Sequence, residues 1–248
     1  DKIDRMDMDA EQDGIMTAVY LPEVVEDYCG KGANGKDHHY ACSGIDGMAF
    51  GPIFGAPADT PHMLMVSYGI YGDNDRTDND NNIILQFDWR KFAEIAKPLI
   101  QGEPHHSGIR ADFRYFLPTG NTTWGIQNLE YDPYTGYWFV AVYPGIKPEF
   151  ENFRMFAIDG NVAAKVAPLE GRGDEKGLLL TSAKIGVGQK EDRIYGSHFE
   201  WGSTGIAALG DGRFCISQID PHQEKTMHST NVKLYRFDPT DSEWFVLD

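Results

Sequence analysis

Short apolar runs separated by Gly-, Pro-, Asp- and Asn-rich breaks fill almost the whole chain. Leu64–Tyr68, Phe139–Tyr143 and Phe214–Gln218 are rich in Val, Ile, Phe, Tyr and Met, side chains that suit a pleated surface packed against other sheets. The breaks carry turn chemistry. Asp132-Pro133-Tyr134-Thr135-Gly136 and Gly210-Asp211-Gly212 place Gly and Asp where a hairpin needs left-handed backbone. The pattern predicts many short antiparallel strands. One segment departs from it. Trp89 to Ala96 has apolar residues at 89, 92, 93 and 96, a helical stripe stopped by Pro98. It predicts one or two helical turns between strands.

The strands recur as a unit. Gly44-Ile45-Asp46-Gly47-Met48 matches Gly125-Ile126-Gln127-Asn128-Leu129 and Gly205-Ile206-Ala207-Ala208-Leu209, at a spacing of about 80 residues. The runs starting at Leu64, Phe139 and Phe214 form a second aligned set, spaced by about 75 residues. Leu85–Asp88, Phe156–Asp159 and Tyr235–Asp238 form a third. Asp112 and Tyr115 precede Gly125 as Asp192 and Tyr195 precede Gly205. Thr17–Pro22 resembles Val140–Pro144 and reads as part of a further copy. Each copy reads as four strands joined by turns.

A four-stranded unit repeated with aromatics and Asp-bounded turns resembles the blade of β-propeller repeat proteins. The resemblance is architectural and runs from Ser43 to Asp248, without the WD, Kelch or YWTD signatures. It implies an all-β fold, a single β-propeller domain over residues 1–248 with about five blades, and residues 1–42 as an irregular or partial repeat. Strands near Phe113–Phe116 and Gly177–Ile185 are candidates for the remaining blades. A β-sandwich or plain meander is the alternative.

Composition narrows the function. Asp plus Glu number 38 against 22 Lys plus Arg, a formal net charge of −16. Phosphate backbones need clustered Lys and Arg, so nucleic acid is not an expected partner. The same balance disfavours an anionic membrane surface, and no apolar run approaches the roughly 18 residues of a spanning helix. The first residue is Asp1 rather than Met, which fits removal of a preceding segment. The three cysteines are Cys29, Cys42 and Cys215. Cys29 and Cys42 flank a Gly-rich loop and fit either a bridge or two free thiols; Cys215 reads as a buried free thiol on a strand. Asn121-Thr122-Thr123 is a glycosylation sequon. Low cysteine, acidity and Asn/Asp/Gly-rich loops point to a secreted or periplasmic protein.

No motif fixes a reaction, so candidate chemistry rests on position. In the propeller reading the first strand of each copy lines a channel, and its lead-in loops share a pocket. That gathers Asp46, Gln127, Asn121, Trp124, His39, His198, Glu200 and Trp201. Trp124 and Trp201 would stack on a sugar, with Asn121 and Gln127 fixing its hydroxyls. The expected activity is binding of a carbohydrate or protein ligand. The alternative is a glycan-active hydrolase or lyase, with Asp46 and Glu200 as general acid and base and His39 and His198 supporting them. A second candidate is the loop Asp73 to Asn82. Asp73, Asp75, Asp78 and Asp80 offer the hard oxygens calcium prefers, although position six of an EF-hand loop would be Gly and here is Asp78. A composite histidine site of His39, His106 and His198 is the remaining metal possibility.

Overall fold

The computed structural model describes residues 16–31, 35, 41–70, 72–100, 102–189, 193–219 and 229–248, with the side chains of 41–43, 69 and 70 outside that description. A short strand, β1 (Thr17–Ala18), leads into helix α1 (Pro22–Cys29). The helix starts on proline, whose missing N–H would have had no intrahelical partner. This segment is therefore not a strand repeat; β1 pairs with β5 (Lys97–Pro98) as a separate two-stranded ribbon.

The rest of the described residues form three sheets, antiparallel except for the pairing of one strand couple in the first. The first runs β2 (Ala41–Gly51), β3 (Met63–Ile70) and β4 (Asn81–Phe87), and closes its meander with β6 (Phe113–Pro118). Between β4 and β5 lie a 3-10 turn (Trp89–Lys91) and α2 (Phe92–Ile95), the helical turns expected there. The second sheet runs β7 (Thr122–Asp132), β8 (Tyr137–Pro144) and β9 (Met155–Asp159). A hairpin of β10 (Lys165–Pro168) and β11 (Lys176–Leu179) returns to the first sheet, where β11 pairs parallel to β6. The extra strands expected near Phe113 and Gly177 thus extend the first sheet rather than found another repeat. The second sheet finishes with β12 (Val187–Gln189) and β13 (Ile194–Ser197), the latter beside β9. The third runs β14 (Ile206–Ala208), β15 (Arg213–Ile219), β16 (Thr230–Phe237) and β17 (Phe245–Leu247) in order.

Three four-strand meanders therefore recur where the sequence repeats. Their pairing fixes the register. Ile45, Ile126 and Ile206 lie opposite Tyr68, Val142 and Ile216. The second aligned set is thus displaced by one residue from each copy to the next, and so by two between the first and the third: Leu64 corresponds to Trp138, and Val66 to Val140 and Phe214. One residue matters because side chains alternate faces. In the corrected register every sheet points the same way. Leu64, Val66 and Tyr68 face the N-terminal side; Trp138, Val140 and Val142 face the first sheet; Phe214 and Ile216 face the second. The third set, Leu85, Phe156 and Tyr235, holds as aligned.

The core is layered accordingly. Met65, Ile84 and Tyr115 meet Ile126, Trp138 and Val140 between the first and second sheets. Phe139 and Met155 meet Phe214, Trp244 and Phe245 between the second and third. On the far face of the first sheet, Leu21 and Val24 cover Leu64, Val66 and Ile83, with Leu85 and Phe87 in the same cluster. Asp27 anchors this cover. It is buried, accepts from Tyr68 Oη at 2.5 Å and pairs with Arg114 at 2.7 Å. Burial and Asp27 push the Tyr68 hydroxyl well above its ordinary range, against the opposing pull of Arg114. The described residues do not close a ring. Among them no helix is long and apolar enough to cross a membrane.

Candidate functional site

The inner strands β2 and β7 both break register. In β2 one irregularity falls between Ala41 and Ile45 and a second between Ile45 and Met48; the second places Asp46 in a bulge. In β7 one irregularity lies between Thr123 and Ile126 and a second between Ile126 and Asn128, which places Trp124 in the first and Gln127 in the second. Bulges leave a residue outside the ladder and re-aim its side chain. Trp124 carries the conformational consequence. Its φ is +66°, followed by Gly125 at +74°. A left-handed conformation costs an L-residue about 1–2 kcal/mol, and a bulky side chain rarely adopts it. Trp124 is nevertheless 52 % exposed, so its ring is held out to solvent rather than buried in return. Gln127 Nε2 donates to the Trp124 carbonyl at 3.1 Å and closes the loop of the bulge.

Two contacts bring neighbouring elements to this place. Asn128 donates from Nδ2 to the carbonyls of Gly202 and Ser203, at 3.0 and 2.7 Å. It ties to β7 the segment that carries Glu200 and Trp201. A Cβ added at Gly47 would lie 3.1 Å from Ile126 Cγ2 and 3.3 Å from the Leu129 nitrogen, so the β2 bulge lies directly against β7. The structure thus clusters the elements carrying Asp46, Trp124, Gln127, Glu200 and Trp201. Asn128 was missed from sequence; its position in the second copy of the Gly-Ile motif was the available signal.

The remaining expectations divide. Asp46 and Glu200 are exposed, and Trp201 is half-buried against the third-sheet core. His198 is exposed with its ring 5.2 Å from Phe153. His39 lies outside the described residues. His106 packs edge-on against Tyr20. Asn121 is not available to a ligand. It is 2 % exposed, and its Oδ1 accepts from the backbone nitrogens of Ile146 and Lys147. A sugar on the same buried amide would have no space, so the sequon is closed in the folded chain.

The acidic loop is neutralised from within. Asp78 forms a two-pronged pair with Arg76, at 2.7 and 2.8 Å. Burial alone would raise Asp78, but Arg76, with help from the more distant Arg172, carries it below the ordinary carboxylate range. Asp80 pairs at 2.6 Å with the ammonium of Lys147, which also donates to the Arg76 carbonyl and to Asn79 Oδ1. Asp73 accepts from the Asp75 backbone nitrogen. The Asp78 and Asp80 oxygens proposed for calcium are thus paired with protein cations, Lys147 occupying the centre of the loop. Among the described residues no group of three His, Cys, Asp or Glu side chains is arranged to hold a metal.

Cys29 is an exposed free thiol at the end of α1, and the Cys42 side chain lies outside the description. Cys215 is free but only half-buried; among the described residues no sheet covers its face of the third sheet. At the boundary of the second and third sheets Glu130 accepts from the Ala208 backbone nitrogen at 2.8 Å. Burial raises its carboxyl above the ordinary range. Comparison of the chain with protein-family models, with curated proteins and with solved structures gives no match.

Proposed function

We propose that this chain is a binding module, built from consecutive blades of a β-propeller, that holds a carbohydrate at the bulged inner strands. The observation that carries the reading is Trp124, exposed in a left-handed conformation within a bulge. Such an outlier supports a functional role, since strain of this kind persists where a surface is pre-organised. An aromatic face offers stacking to a pyranose ring; Gln127 beside it, and Asp46 on the neighbouring strand β2, offer polar partners for hydroxyls. The third strand set adds Trp201 on the segment that Asn128 holds to β7. The propeller supports the reading through repetition: each sheet presents the same face to the next, as blades around an axis do. An extracytoplasmic setting belongs to the same proposal.

Glycan-array screening followed by calorimetric titration tests it. Wild type should bind one class of glycan, and Trp124→Ala should weaken binding at least tenfold with an unchanged melting temperature. Equal binding by wild type and Trp124→Ala, or binding only to protein probes, would reject the carbohydrate reading. Release of new reducing ends, lost in Asp46→Asn or Glu200→Gln, would instead favour the hydrolase.

A further inference from the structure

The stack of three sheets ends in two unlike surfaces. In the second repeat, Ile126, Leu129 and Tyr131 pack on the first sheet and are 0, 3 and 7 % exposed. Strand pairing makes Ile45, Met48 and Phe50 their counterparts in β2, and these are 41, 60 and 54 % exposed. They border a groove of about 470 Å³ with Leu64, Trp89 and Phe92. Helix α1 lies beside β2 and packs Leu21 and Val24 over β3 and β4, yet Ile45, Met48 and Phe50 stay exposed. The opposite end shows the converse. Ile84 in the first sheet and Met155 in the second face the next sheet and are fully buried. Their counterpart Leu234 is only half-buried, beside Cys215 and next to Val232 at 65 % and Ile219 at 45 % exposure.

We propose that these two surfaces bind each other between copies of the chain, the open face of the third sheet of one copy seating in the Ile45–Met48–Phe50 groove of a second. The argument is continuity with an established interface. Twice within the chain a sheet presents this same face to the inner strand of its successor: the first contact buries Ile126, Leu129 and Tyr131, and the second buries Ile206, the counterpart of Ile45, while leaving Ala208 half-buried. The occupant that fits the groove is therefore a surface of the kind that the third sheet leaves exposed among the described residues. The contact is heterologous, head to tail, so it closes a ring if the rotation permits and otherwise extends. A net charge of −16 opposes it, so added salt should strengthen association by screening.

Sedimentation velocity over a concentration series tests the proposal. Wild type should associate more as concentration and salt rise. Met48→Asp and Val232→Asp, both exposed positions that leave the melting temperature unchanged, should each weaken association at least tenfold. An equimolar mixture of the two should recover a dimer, because each variant keeps the half the other has lost. A wild type that stays monomeric throughout would overturn the proposal. So would association insensitive to Val232→Asp, which would mean groove-to-groove pairing, or a mixture that gives no dimer.

Discussion

Lys147 places its ammonium 2.6 Å from Asp80 Oδ1, at the centre of a loop 67 residues away in sequence. The lysine side chain is 2 % exposed and that of Asp80 17 %. A loop that reads as a calcium site is closed by an organic cation from the loop between β8 and β9. Replacing Lys147 with Met takes the buried ammonium away from Asp80 and should cost about 3 kcal/mol in urea unfolding, the range for breaking a buried pair. Adding Asp80→Asn to that variant should restore part of the loss. A variant as stable as wild type would show the pair to be ornamental.

The same contact predicts the response to calcium. With the ammonium in place, millimolar calcium or EDTA should leave the wild-type melting curve where it is. In Lys147→Met the vacated oxygens become available, and calcium should raise the melting temperature. A calcium-dependent rise in wild type would show that the loop opens to take the metal.

Asp78 sets a prediction for acid. Its folded pKa lies below the unfolded value, so the unfolded chain takes up this proton first as pH falls. The stabilisation is fully present above the unfolded pKa and is lost as pH falls through the folded one. Asp78→Asn should therefore destabilise the chain at neutral pH and flatten the stability profile below about pH 4. Parallel slopes in the two proteins would contradict the role of the Arg76 pair.

Glu130 works in the opposite sense. Burial raises its folded pKa, so the folded chain holds the proton more tightly and stability falls as pH rises from the unfolded toward the folded value. Glu130→Gln keeps an acceptor for the Ala208 nitrogen and removes the buried charge. It should melt at or above the wild-type temperature at pH 7, with the difference vanishing near pH 4. Glu130→Ala, which leaves that nitrogen without its partner, should melt lower.

Much of the repeat was legible, and the places where it was not have physical causes. The Gly-Ile motif marks β2, β7 and β14 because its isoleucine holds the same register position in each, opposite Tyr68, Val142 and Ile216. The second set slipped by one residue because β3 and β8 are buried on both faces. Leu64 and Met65 are equally apolar, so alternation gives no register. Helix α1 was missed because its eight residues give only a short apolar stripe, Val24, Val25, Tyr28 and Cys29; Pro22 at its first position was the readable sign. Asn121 looked like a ligand or glycan site, but its side chain holds the backbone at Ile146, a long-range contact that no local pattern encodes. Trp124 was chosen for its aromatic ring; its exposure depends on a bulge that sequence does not mark.

The most direct test of the account is the position of a bound glycan on the protein, read from the indole N–H signals of its five tryptophans. Trp124→Phe assigns one of them. On addition of the glycan selected by the array, the Trp124 signal should shift, while those of the fully buried Trp138 and Trp244 stay fixed. A glycan that shifts Trp89 in the far groove and leaves Trp124 unmoved would contradict the proposed site.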